Sequence, residues 1–162
     1  MNYISILGST GSVGINSLSV ISSLSDKYKI YGLSCNKNIL LLQKQIIIHK
    51  PTIAVITNKK AYLQFVKEYG DVFHGTNIMY GEEGLELLSS SKKVSTIIIA
   101  IVGFSCIKSV INAIDHNKVL LIANKEILVS AGEIIVSKLN KSKATLLPID
   151  SEHNALLQVI LS

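Results

Sequence analysis

The chain has 162 residues, 48% hydrophobic and 17% charged, which excludes a disordered or low-complexity protein and fits one ordinary domain with its own core. Its formal charge is +5, and all 16 basic residues are lysines. They are scattered as a mostly solvated surface rather than gathered into a basic stripe with interleaved aromatics, so no nucleic-acid partner is expected. The longest apolar stretch, residues 97–104, is interrupted by Gly103 and is too short to span a bilayer. No basic leader precedes the first strand, so neither membrane insertion nor secretion is expected. Cys35 and Cys106 lack a CxxC partner, which points to reduced thiols in the cytoplasm.

Taken in order, strand and helix patterns alternate. Residues 3–7 predict a strand, followed by a glycine loop and a helix over about 13–24. A strand at 29–34 leads to a helix at 39–49, and a strand at 52–56, entered through Pro51, leads to a helix at 60–69 with Gly70 as its C-cap. A short strand at 77–80 and a short helix at 82–88 follow, then a buried strand at 96–100 and a helix at 107–116. The last units are a strand at 119–123, a helix at 126–139, a strand at 145–147 and a helix from Ser151 onward. Runs such as residues 46–48 and 97–99, all isoleucine, suit strands buried on both faces. The alternation predicts an α/β fold with a doubly wound, mostly parallel sheet, in which ligands bind at the carboxyl ends of the strands.

The first polar cluster is GSTGSVG, residues 8–14. Its G-x-x-G-x-x-G spacing follows a strand and opens a helix, the context of a Rossmann-like dinucleotide site. Glycines allow a tight turn and a close approach of backbone to phosphate, and the helix N-terminus stabilises the anion. Thr10 and Ser12 add hydroxyl donors. A plain glycine-rich turn is the alternative. The end of the second strand reads LSCNKN, residues 33–38, with no carboxylate for a ribose 2′-OH. Lys37, with Ser34, Asn36 and Asn38, suits a 2′-phosphate instead, which favours NADPH over NADH; the alternative is that Lys37 is an ordinary surface lysine.

The second cluster is ANKEILV, residues 123–129. Asn124 can cap the helix and Glu126 complement its dipole. Lys125 in the same first turn is disfavoured by that dipole, so it points to a phosphate or a substrate hydroxyl. In the third cluster, LLPIDSEHNALLQ, residues 146–158, Asp150 and Glu152 follow a strand. By themselves they read equally as helix-start acids, capped by Asp150 or Ser151, or as hard oxygen ligands for Mg²⁺ or Mn²⁺. His49, His74 and His116 have no ligand spacing.

Together with AIVGF at residues 100–104, these motifs in this order resemble the amino-terminal domain of the 1-deoxy-D-xylulose 5-phosphate reductoisomerase family, across essentially the whole chain. The resemblance implies an NADP-dependent oxidoreductase of non-mevalonate isoprenoid biosynthesis. Such an enzyme isomerises its sugar phosphate substrate, 1-deoxy-D-xylulose 5-phosphate, and reduces the product with NADPH to 2-C-methyl-D-erythritol 4-phosphate. It also implies a divalent metal that polarises the substrate's oxygens. Motif by motif, it places Thr10, Gly11, Ser12 and Val13 on the cofactor and Asn36, Lys37 and Asn38 by its 2′-phosphate. Asn36 stands where many relatives have glycine. Asn124 and Glu126 are implied to face the cofactor, Lys125 to reach the substrate, Asp150 and Glu152 to bind metal, and Ser151 and Glu152 to bind substrate. Lys125, Asp150 and Glu152 are thereby the implied catalytic residues.

The resemblance divides the chain into an NADPH-binding domain, residues 1–149, and the start of a catalytic, metal-binding domain, residues 150–162. Family members are longer, so the chain reads as a fragment of a homodimeric parent, and no turnover is expected from it alone. A non-catalytic NADP-binding module shares every feature before Asp150. A dehydrogenase of the aspartate-semialdehyde type also opens with such a glycine loop, but it needs a catalytic cysteine, and neither Cys35 nor Cys106 lies in a nucleophile motif.

Overall fold

The computed structural model describes residues 1–149. In chain order these are β1 (Asn2–Leu7), α1 (Ser12–Ser23), β2 (Tyr28–Cys35), α2 (Ile39–His49), β3 (Ile53–Ile56), α3 (Lys59–Tyr69), β4 (Val72–Phe73) and β5 (Thr76–Tyr80). There follow α4 (Gly81–Ser90), β6 (Val94–Ile99), a 3-10 turn (Phe104–Cys106), α5 (Ile107–Asp115), β7 (Val119–Ile122), α6 (Lys125–Leu139) and β8 (Thr145–Pro148). The expected elements are present with ends shifted by one or two residues. The helix expected from Ser151 lies outside the described residues. β4 was not expected: two residues are too few to show a period, and the turn at His74 and Gly75, both at positive φ, folds them back antiparallel onto β5.

The eight strands form one sheet in the order β4-β5-β3-β2-β1-β6-β7-β8. Every neighbouring pair except β4-β5 is parallel. The chain runs outward from β1 to β5, then returns to lay β6 on the other side of β1. The carboxyl ends of β1 and β6 therefore flank the topological switch point, where ligands bind in such sheets.

Strand alternation divides the core between the two faces. Ile4 and Ile6 of β1 and Ile98 of β6 pack with Leu18, Leu42 and Phe65 beneath α1, α2 and α3. Leu7, Ile97 and Ile99 pack with Leu88, Val110 and Ile127 beneath α4, α5 and α6. This explains the isoleucine run in β6, since successive side chains feed opposite cores. Each such fully buried aliphatic contributes roughly 1.5–3 kcal/mol relative to an exposed one. On the α1 face, β6 and β7 keep an apolar groove of about 590 Å³ beside α1, lined by Val13, Val20, Ile98 and Leu121 among others.

Lys118 departs from the expected solvated lysines. It is buried, and its Nζ donates to Ser91 O at 2.7 Å and Val94 O at 2.6 Å, which ties the end of α4 to the start of β6. Burial pushes its pKa below the usual lysine range. No helix among the described residues is long and apolar enough to cross a membrane.

Candidate functional site

The register of the parallel strands aligns the polar clusters. Leu7 pairs with Ile99, Ile99 with Ile122 and Ile122 with Pro148. The next residue in each strand, namely Gly8, Ala100, Ala123 and Ile149, therefore leaves the sheet at one level. GSTGSVG, AIVGF and ANKEILV all start from this row.

The glycine loop is shaped by close backbone approaches. Gly8 has φ 90°, and a Cβ there would stand 2.7 Å from Ala100 O. A Cβ on Gly14 would stand 2.4 Å from Gly8 O. Only glycine allows the left-handed turn at position 8 and the packing of the first turn of α1 on the loop at position 14. α1 begins at Gly11 with no side-chain cap and no acid in its first turn. By contrast, α2, α3 and α6 are each capped by an asparagine: Asn38 accepts from Leu41 N, Asn58 from Ala61 N and Asn124 from Ile127 N. The start of α1 thus keeps its N–H groups and positive dipole end for an anion.

A cleft of about 830 Å³ crosses this edge of the sheet. Gly8, Thr10 and Gly11 line it together with residues 34–36 from β2, Thr57 beyond β3, residues 80–83 beyond β5 and residues 100–102 beyond β6. A smaller cleft of about 340 Å³ shares Gly11 and residues 100–102, and adds Ser12, Val13, Asn124, Lys125 and Glu126. Lys37 and Asn38 line neither cleft; both are exposed, directly after Asn36. The group implied by the sequence is a dinucleotide with a 2′-phosphate. The glycines at positions 8, 11 and 14, the uncapped helix and the carboxylate-free end of β2 fit it. Glu82, at the far end of the larger cleft, is paired with Lys108 at 2.6 Å.

Asn124 is almost wholly engaged by the protein itself. It is buried, and its Nδ2 donates to Ile101 O and Gly103 O, both at 2.7 Å. Its Oδ1 accepts from Ile127 N at 3.3 Å. One side chain thereby ties the loop after β6 to the start of α6. Sequence reasoning anticipated the cap and missed this strut.

It also missed Gln45. This α2 residue is buried, donates through Nε2 to Ser9 O at 2.8 Å and accepts at Oε1 from Ser9 Oγ at 2.7 Å. The loop is anchored on its other side to β2, where Gly8 N donates to Ser34 Oγ at 2.9 Å and Ser9 N to Ser34 O at 2.8 Å. The signal was available: residue 45 falls on the apolar stripe of α2, with Leu42 and Ile46.

Neither cysteine is suited to nucleophilic catalysis. Burial pushes the Cys35 thiol up to about 12 and the Cys106 thiol up to about 11, so the reactive thiolate is scarce near neutral pH. Asp150, Ser151 and Glu152 lie outside the described residues. Among the described residues, no group of three or more His, Cys, Asp or Glu side chains is placed to hold a metal.

Comparison with known proteins agrees with this fold. The family model for 1-deoxy-D-xylulose 5-phosphate reductoisomerase matches residues 4–132. The reductoisomerase of Wigglesworthia glossinidia brevipalpis is 43% identical over 98% of this chain and 40% of its own length. A crystal structure of DOX-P reductoisomerase in complex with NADPH, fosmidomycin and magnesium superposes with a TM-score of 0.91 at 35% identity, covering 98% of this chain and 38% of that one. The Zymomonas mobilis enzyme in complex with NADPH gives 0.89 at 31% identity, covering 97% and 41%. The chain spans about 40% of the length of the curated relatives it matches. It belongs to the 1-deoxy-D-xylulose 5-phosphate reductoisomerase family.

Proposed function

We propose that residues 1–149 bind NADPH for the isomerisation and reduction of 1-deoxy-D-xylulose 5-phosphate to 2-C-methyl-D-erythritol 4-phosphate, and that residues 150–162 open the metal-binding catalytic part of the enzyme. The observation that carries the reading is the uncapped, acid-free start of α1 behind Gly8, beside a β2 end without a carboxylate. The backbone of Thr10, Gly11, Ser12 and Val13 receives the pyrophosphate. Asn36, Lys37 and Asn38 receive the 2′-phosphate at the exposed start of α2. Glu126 and the strut Asn124 shape the wall of the smaller cleft, where the nicotinamide ring lies.

Lys125 opens α6 at the rim of the same cleft. From there its ammonium reaches a substrate oxygen and stabilises negative charge on it. Asp150 and Glu152 are the proposed ligands for Mg²⁺ or Mn²⁺, with Ser151 and Glu152 also on the substrate. The metal, when bound, polarises the substrate's carbonyl and hydroxyl oxygens. The longer parent works as a homodimer on this sugar phosphate, without nucleic acid. A cytoplasmic location is part of the same reading, and the two free, buried thiols support it.

A fluorescence titration tests the cofactor assignment. NADPH binds the chain at least about tenfold more tightly than NADH, the order of one charge-assisted contact. Equal affinities would remove the assignment of Asn36, Lys37 and Asn38.

A further inference from the structure

We propose that Gln45 is a positioning residue for cofactor binding. Its side-chain amide clasps Ser9 and sets the phosphate-binding loop at a fixed distance from the start of α2, so that two anionic groups of one ligand are gripped together. The proposal rests on the NADPH reading above.

Ser9 is fully buried and Gln45 nearly so. The carbonyl of Ser9 can only accept, so the amide nitrogen of Gln45 must face it, at 2.8 Å. That leaves Oε1 facing Ser9 Oγ, which donates to it at 2.7 Å. The two bonds form a closed clasp with a single satisfied orientation. An apolar side chain of similar size would fill this position on the buried stripe of α2, with Leu42 and Ile46, without desolvating an amide. Packing alone therefore does not call for glutamine, whereas holding the loop does.

Residues 38 and 45 are seven apart, so α2 links them as a rigid rod of about 10.5 Å. One end carries Asn38 and, just before it, Lys37 and Asn36. The other end grips Ser9, next to Gly8 and Thr10. The clasp therefore couples the 2′-phosphate rim to the pyrophosphate loop.

Two ligands separate this role from general stability. Adenosine 2′,5′-bisphosphate engages both anion subsites, whereas 2′-AMP engages the rim alone. In the full 162-residue chain, Gln45→Met weakens the bisphosphate about tenfold or more and changes 2′-AMP less than about twofold, measured by calorimetry. Ser9→Ala, which removes one of the two clasp bonds, gives the same split at about threefold and serves where Gln45→Met does not fold. Equal losses for both ligands, or no loss for either, overturn the proposal. Failure of the unmodified chain to bind 2′-AMP overturns the NADPH reading beneath it instead.

Discussion

Replacing three helix glycines by alanine separates helix propensity from crowding. Within a helix, alanine is more favourable than glycine by about 0.8–1.0 kcal/mol. At Gly132 in α6 an added Cβ meets nothing within 4 Å, so Gly132→Ala keeps that gain and stabilises by about 1 kcal/mol. At Gly84 in α4 the Cβ would stand 2.8 and 2.9 Å from the two Val55 methyls and 3.2 Å from Met79 Cβ. These are core side chains with little room to move. Overpacking costs about 1–3 kcal/mol, which exceeds the propensity gain and leaves Gly84→Ala destabilised by roughly 1 kcal/mol. At Gly14 the neighbours are backbone: Gly8 O at 2.4 Å and Ser9 Cα at 2.5 Å. That loop is pinned by Ser34 and Gln45, so it cannot rotate aside as a side chain would. The cost reaches or passes the upper end of the overpacking range, and Gly14→Ala loses about 2 kcal/mol or more. Urea unfolding followed by circular dichroism, at unchanged m, reads the three differences. A Gly14→Ala variant as stable as Gly132→Ala would refute the close packing of α1 on the loop.

Asn124→Ala loses the cap of α6, about 1 kcal/mol, and leaves two carbonyls without a donor, roughly 1 kcal/mol each. Stability then falls by about 2–3 kcal/mol in all, and amide exchange quickens over residues 101–106 and the first turn of α6; a loss below about 0.5 kcal/mol with unchanged exchange would refute the strut. The thiols predict an alkaline slope. Both folded pKa values stand above the unfolded 9.0, so their contribution is complete below pH 9 and is lost as pH rises toward about 11 for Cys106 and about 12 for Cys35. Stability falls by up to about 1.4 kcal/mol per pH unit per thiol over that window, and Cys35→Ala shallows the slope; a wild-type profile flat from pH 9 to 11 contradicts the burial. In a chimera that adds the remainder of a relative after Ser162, Asp150→Asn removes turnover and leaves NADPH binding intact, and near-normal activity would rule out the metal assignment.

The parts legible in the sequence are those where one physical requirement leaves a local trace. The glycine loop was legible because strand, glycine spacing and helix coincide within residues 3–24. The two-sided sheet was legible from the isoleucine run at 97–99, which feeds both cores, whereas the run at 46–48, read the same way, lies in α2 with Ile47 and Ile48 exposed. Hydrogen bonds that cross between distant elements leave no such trace. Asn124 looks like a cap because Ile127 is three residues on, but its bonds to Ile101 O and Gly103 O join segments more than 20 residues apart. Lys118 reads as an ordinary surface lysine until the end of α4 is brought over it. Gln45 sits on an apolar stripe, a position that hints at a buried partner without saying which. β4 is too short to show any pattern.

The row of strand ends also orders the chemistry. Neighbouring strands lie about 4.8 Å apart, so β1 to β8, three steps across, spans roughly 14 Å. Along that line the register sets Gly8, Ala100, Ala123 and Ile149 level, and Asp150 follows Ile149 in sequence. In the other direction the larger cleft runs from Gly8 past β2 to β3 and β5. On the proposed reading, a dinucleotide anchored by its pyrophosphate at β1 extends its adenosine half toward β2 and its nicotinamide toward β6 and β7. The reacting end then points at the smaller cleft that Lys125 lines. The motifs follow one another in the sequence in the same order as the strand ends that carry them across this half of the sheet. On that reading, a chain with few charged groups in its clefts orients the cofactor through the glycine positions and backbone N–H groups that receive the phosphates, and the parallel register sets which motif the reactive ring meets.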